Sequence, residues 1–66
     1  MYFVIYKDTV LYTTQYEIDA RANLFAIAQR KNLEFWQEFS RYGRDNFVFY
    51  YKDNENEFEV YTIIKE

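Results

Sequence analysis

The chain is 66 residues long, half of them apolar and 29% charged, with a net charge of −3 and no proline, cysteine or histidine. Such a length builds one hydrophobic core, so residues 1–66 read as a single small domain. The missing residue types exclude disulfide staples, thiol chemistry, imidazole-based nucleophile pairs and zinc sites made of sulfur or imidazole.

Tyr2–Lys7 is β-branched and aromatic and ends at Asp8-Thr9, which predicts a strand, and Val10–Tyr16 predicts a second. With Asp8-Thr9 as a tight turn, Ile5 lies opposite Tyr12, and Phe3, Ile5, Val10, Tyr12 and Thr14 share one face. Tyr2, Val4, Tyr6, Leu11 and Thr13 share the other.

Asp19 stands before Ala20–Leu24 as an N-cap, and Leu24, Ala28, Phe35, Phe39 and Tyr42 recur at spacings of three, four and seven. That pattern predicts a helix from 20 to 42 with Gly43 just past its end. At 1.5 Å per residue it would run for about 35 Å, well beyond the roughly 20 Å of a six-residue strand. A break is therefore expected at Lys31-Asn32.

Residues 46–52 and 57–65 predict a hairpin closed by Asp53-Asn54-Glu55-Asn56. Its expected register sets Lys52 opposite Glu57, Tyr51 opposite Phe58 and Phe49 opposite Val60. Phe47, Phe49, Tyr51, Phe58, Val60, Thr62 and Ile64 then form the inner face.

The expected fold is α+β, ββαββ: a four-stranded sheet with one long or broken helix packed on one face. Two hairpins joined by a helix resemble the β-grasp architecture, which implies sheet order 2-1-4-3 with a parallel central pair. A two-helix return path would make that pair antiparallel. The resemblance lies in element order and transfers no function.

Catalytic constellations are weak. Glu34 and Glu38 stand four apart on the expected helix, as a solvated face would place them. Asp53, Glu55 and Glu57 alternate, but the loop lacks the glycine and terminal glutamate of a calcium-binding EF-hand. Tyr2–Tyr6 with Leu11-Tyr12-Thr13 looks superficially like the opening strands of a GIY-YIG nuclease. Thr14 stands where that family has glycine, however, and Arg21 comes one residue early. The expectation is a chain that is not an enzyme and holds no metal or cofactor.

Sixteen aromatics are more than one small core can hold. In the registers above, the sheet face away from the helix collects Val4, Tyr6, Leu11, Val48, Tyr50, Tyr61 and Ile63, with Glu57 and Glu59 at its rim. The function expected is a non-catalytic protein-interaction module that binds stoichiometrically, with Tyr6, Leu11, Val48, Tyr50, Glu59, Tyr61 and Ile63 touching a protein partner or a twin subunit. Tyr, Phe, Ile, Asn and Lys make 29 of the 66 residues. These have AT-rich codons, in keeping with a phage or mobile-element inhibitor of a host protein.

The alternative is a single-stranded nucleic-acid binder that stacks bases on Tyr6, Tyr50 and Tyr61 beside a basic patch of Arg30, Lys31, Arg41 and Arg44. Charge opposes it: residues 53–66 carry one lysine against five carboxylates. No membrane association is expected, because the longest apolar runs are far below the roughly 20 residues that span a bilayer. No signal peptide is expected either, and the cytoplasm (that of a host, for a phage protein) is the expected location.

Overall fold

The computed structural model describes residues 1–66. Lys7 and Asp8 both take positive φ, 49° and 64°, the left-handed pair that closes a two-residue hairpin in step with strand twist. The turn joins β1 (Tyr2–Tyr6) to β2 (Thr9–Thr14) and sets Tyr6 opposite Thr9. It therefore lies one residue earlier than the expected Asp8-Thr9. A bulge then makes Leu11 the extra residue, so that Val4 faces Tyr12 and Tyr2 faces Thr14. The expected phase is corrected: Val4 and Tyr6 point inward, and Phe3 and Ile5 point outward.

The helix, α1, spans Glu17–Arg30 and buries Ala20, Leu24 and Ala28, one residue per turn on a single stripe. Two of the three are alanines, which lets the backbone lie close to the sheet. Glu17 and Asp19 occupy the first turn and Arg30 the last, each suited to its end of the helix dipole. Asp19 is not the N-cap. Tyr16 holds that place, and the Asp19 carboxylate instead accepts a 2.8 Å hydrogen bond from the Tyr12 hydroxyl.

Lys31 is the C-cap, and Asn32 follows at φ 61°, a left-handed residue that ends the helix where the break was expected. Beyond it the expectation of more helix fails. Leu33–Arg41 is a strand, β3, which turns through Tyr42 and Gly43, at φ 53° and 74°, into β4 (Arg44–Tyr51). Gly43 thus serves a hairpin turn and not a helix end. The last strand, β5, covers Asn54–Lys65.

All five strands are antiparallel neighbours in the order β2-β1-β5-β4-β3. The class is α+β, but the sheet has five strands where four were expected, and its order differs from 2-1-4-3. The added strand reverses the chain once more, so β5 returns antiparallel to β1 and the parallel central pair of a β-grasp is absent. Helix α1 carries the chain from one sheet edge to the other. Fourteen residues give it about 21 Å, close to the roughly 19 Å across five strands at their usual spacing.

The second hairpin is also one residue out of the expected register. Tyr50 pairs with Phe58, Phe49 with Glu59 and Val48 with Val60, while Tyr51 pairs with Asn54 and leaves Glu55–Glu57 as an excursion of β5. Tyr61 and Ile63 consequently turn into the core, and Phe58, Val60, Thr62 and Ile64 turn away from it. One core results, joining Val4, Leu24, Leu33, Phe47, Phe49, Tyr61 and Ile63 to the helix alanines. No helix is long and apolar enough to cross a membrane.

Candidate functional site

Inward slippage of β5 buries a carboxylate, and the surrounding residues account for it. The Glu59 side chain accepts hydrogen bonds from Tyr61 Oη at 2.7 Å, from Lys31 Nζ at 3.1 Å and from the Tyr51 hydroxyl. Lys31 also donates to Tyr61 Oη at 2.9 Å, and its ammonium lies 4.8 Å from the centre of the Tyr6 ring. Tyr6 in turn stacks on Tyr61 at 4.7 Å. A helix end and three strands therefore converge on one charge.

Burial alone would push the Glu59 carboxyl up, but the hydrogen bonds from Tyr51, Tyr61 and Lys31 outweigh it and hold the group below its ordinary range. Lys31 is held above its ordinary range by its bond to Tyr61 and, against the effect of burial, by Glu59. Burial and Glu59 push the Tyr61 phenol up to about 12, against the opposing influence of Lys31.

The phenol supplies an alkaline test. Its folded pKa lies above the unfolded value of about 10, so the folded state holds the proton more tightly and its contribution is complete below about pH 10. Between about pH 10 and 12 stability should fall. Denaturant midpoints measured across that interval should drop, and drop less steeply in Tyr61→Phe. Equal slopes in the two proteins would contradict the coupling.

An open groove of about 510 Å³ lies beside this cluster, lined by Tyr6, Lys7, Tyr51 and residues 57–60 of β5. It exists because the β1 ladder ends at the Ile5–Thr62 pair, while β5 runs on. No group of three carboxylates is placed to hold a metal ion.

The opposite face of the sheet is uncovered. A bulge in β3 sets both Trp36 and Gln37 opposite Val48, so Trp36 points outward while Phe35 points in toward Phe25 and Phe49. Trp36 is 55% exposed, Phe58 50%, Val60 43% and Phe39 42%. Val48 lies beneath them, nearly covered, and Phe3, Ile5, Tyr50 and Ile64 are half-buried on the same face. The Trp36 and Phe58 rings lie 5.3 Å apart across Tyr50. An aromatic side chain presents about 150–250 Å² when fully exposed, so Trp36, Phe39 and Phe58 alone show about 300 Å² to solvent.

Charge on this face is confined to its ends. Glu34 accepts a 2.7 Å hydrogen bond from the Tyr50 hydroxyl, and Glu55 lines a shallow pocket with Trp36, Tyr50 and Phe58. The bond to Glu34, partial burial and the charges of Glu34 and Glu55 together raise the Tyr50 phenol above its ordinary range. At the other end Arg41 and Arg44 face each other where β3 turns into β4.

Of the seven residues expected to touch a partner, the structure leaves Val48 and Tyr50 on the outer face. Leu11 is the exposed bulge residue of β2, whereas Glu59, Tyr61 and Ile63 are buried on the inner face and Tyr6 packs there. Trp36, Phe39, Phe58 and Val60 lie exposed on the outer face. The expected basic patch is divided: Arg41 and Arg44 face each other, but Lys31 lies apart from them. Lys31 is bound to Glu59, opposite Phe49 on β4, and Arg44 lies five residues along that strand, about 17 Å away. Glu34 and Glu38 separate as well, since the bulge sends Glu34 outward and Glu38 inward, where it pairs with Arg21 at 2.7 Å. No protein-family model, curated protein or solved structure matches the chain.

Proposed function

We propose that the chain is a non-catalytic protein-interaction module, acting by stoichiometric binding through the outer face of its sheet. The observation that carries this reading is the apolar cluster of Trp36, Phe58 and Val60 over Val48, with Phe39 beyond Gln37 and the Asn46–Thr62 pair, on the face that the helix leaves open. Single exposed apolar residues are normal on a monomer, but a continuous patch of several hundred Å² is the mark of a surface that is covered in use. A target held there would be blocked and not converted, which is the action of a small inhibitor. Nucleic acid fits the face less well, because Glu34 and Glu55 stand among the rings on which bases would stack.

The test removes the patch without adding charge. A Trp36→Ser, Phe58→Ser double variant should keep the far-UV circular dichroism of the parent and a thermal midpoint within several degrees of it, since both side chains are half exposed. It should lose the associations the parent shows, whether read as native mass in solution or as retention of a protein target. A folded double variant with every association intact overturns the proposal.

A further inference from the structure

We propose that the occupant of the outer face is a second copy of the chain, packed sheet on sheet with its strands running antiparallel to the first. This rests on the interaction reading above and adds to it the identity and orientation of the partner.

Three observations point there. Both edges of the sheet are unsuited to strand addition. β2 and β3 are the edge strands, and each carries a bulge, at Leu11 and at Trp36, that interrupts its free row of backbone groups. The one other free edge, β5 beyond the Ile5–Thr62 pair, is short and forms the wall of the groove beside Tyr6, so the face offers the larger area for association.

The face is also of the right size. Five strands at about 4.8 Å and some seven residues at about 3.4 Å give roughly 600 Å² in projection. Its relief adds to that, against about 800 Å² per partner in a standard interface. Its centre is uncharged, as in interfaces between identical subunits, which resemble a core cut in half.

The charges at its two ends complement each other. On β3, Glu34 and Arg41 stand at opposite ends, seven residues apart, with Trp36 and Phe39 between them. On β4, Arg44 and Tyr50, beside which Glu55 lies, repeat the arrangement. Lys52 and Glu66 sit outside it, in a turn and at the terminus. A two-fold axis parallel to the sheet and perpendicular to the strands, passing near Val48, turns the arginine end of one copy onto the carboxylate end of the other. β3 then lies over β3 and β4 over β4, and Arg41 and Arg44 approach Glu34 and Glu55 of the second copy twice per dimer. Two sheets so placed pack about 10 Å apart with strands within about 30° of alignment. A two-fold axis along the strands would set arginines on arginines, and that arrangement is disfavoured.

Charge reversal tests both the partner and its orientation. The parent should sediment as a dimer at micromolar concentration, with the emission of Trp36, its single tryptophan, shifting to the blue as the dimer forms. An Arg41→Glu, Arg44→Glu variant and a Glu34→Arg, Glu55→Arg variant should each dimerise at least about tenfold more weakly, because like charges then meet at both ends. Mixed in equal amounts they should form a heterodimer, and a chain carrying all four changes should recover the homodimer. That recovery also shows that the substituted chains fold.

A parent that stays monomeric overturns the inference. So does a dimer that both reversed variants keep, or a mixture that yields no heterodimer. A monomeric parent that holds a different protein, and releases it on Trp36→Ser, Phe58→Ser, would leave the interaction reading standing while removing the second copy. A dimer indifferent to that double substitution would remove both.

Discussion

Tyr61→Glu should leave no folded protein, whereas Val60→Glu, one residue earlier on the same strand, should fold. Tyr61 is fully buried, stacked on Tyr6 and set edge-on to Phe49 at 5.8 Å. A carboxylate in its place would lie within the core beside Glu59 and would abandon the hydrogen bond to Lys31. Burying an unpaired charge is among the few changes that cost more than about 4–5 kcal/mol. A 66-residue domain has in total about 3–10 kcal/mol, at roughly 0.05–0.15 kcal/mol per residue. Val60 points to the outer face and is half exposed, so its replacement should cost about 1 kcal/mol or less in fold stability. Circular dichroism and denaturant titration of the two variants decide the register of β5. A stable Tyr61→Glu together with an unfolded Val60→Glu would place the opposite face of that strand against the helix.

That register was the part of the fold least legible in the sequence, for a definite physical reason. Alternation along Phe58–Ile64 offers two apolar sets, Phe58 with Val60 and Ile64, or Tyr61 with Ile63. The four-residue turn Asp53–Asn56 and the Lys52–Glu57 pair select the first, whereas the structure adopts the second and buries Glu59. The burial is supported by Lys31 at the end of α1 and by Tyr51 on β4, at separations of 28 and 8 residues. No pattern within the strand records those partners. The same distance effect reversed the first hairpin, where placing the turn at Lys7-Asp8 sends Val4 inward against the helix.

Strand β3 was hidden differently. A bulge at Trp36-Gln37 lets two residues share one place in the ladder, so Trp36 and Phe39, three apart, lie on one face of a strand. The expected stripe of Phe35, Phe39 and Tyr42, at helical spacings of four and three, extends the real one of Leu24 and Ala28, but the same bulge sends Phe35 inward and Phe39 outward. The stop at Lys31-Asn32 was legible because length alone required it, and asparagine suits the left-handed residue found there.

The outer face was legible in kind and only partly in membership. Sixteen aromatics exceed what a single core can take up, so a second apolar surface follows from composition. Val48 and Tyr50 belong to it in either register of β5. The other members depend on phases that tertiary contacts decide.

Phe49→Ala should be the most costly truncation in the core, lowering stability by about 3–5 kcal/mol. Phe49 is nearly fully buried on the inner face of β4, where three rings meet it: Phe25 from α1 at 5.5 Å, Phe35 from β3 at 5.8 Å and Tyr61 from β5 at 5.8 Å. Each contact is tilted or edge-on, the geometry that adds about 0.5–1.5 kcal/mol per pair beyond burial. Phe49 is thus the residue through which helix, edge strand and central strand touch at once, and its loss removes partners from all three. Phe25 and Phe35 are themselves near the surface and free to settle inward, which should keep the cost toward the lower end of that range. Phe49→Leu, which fills most of the space, should recover a good part of it. Equilibrium unfolding in denaturant, compared at equal slope, measures both. A loss below about 1 kcal/mol for Phe49→Ala, well under the usual cost of a buried ring, would mean that α1 does not pack across β4 at this point. The placement of the helix over one face, and with it the openness of the other, would then have to be redrawn.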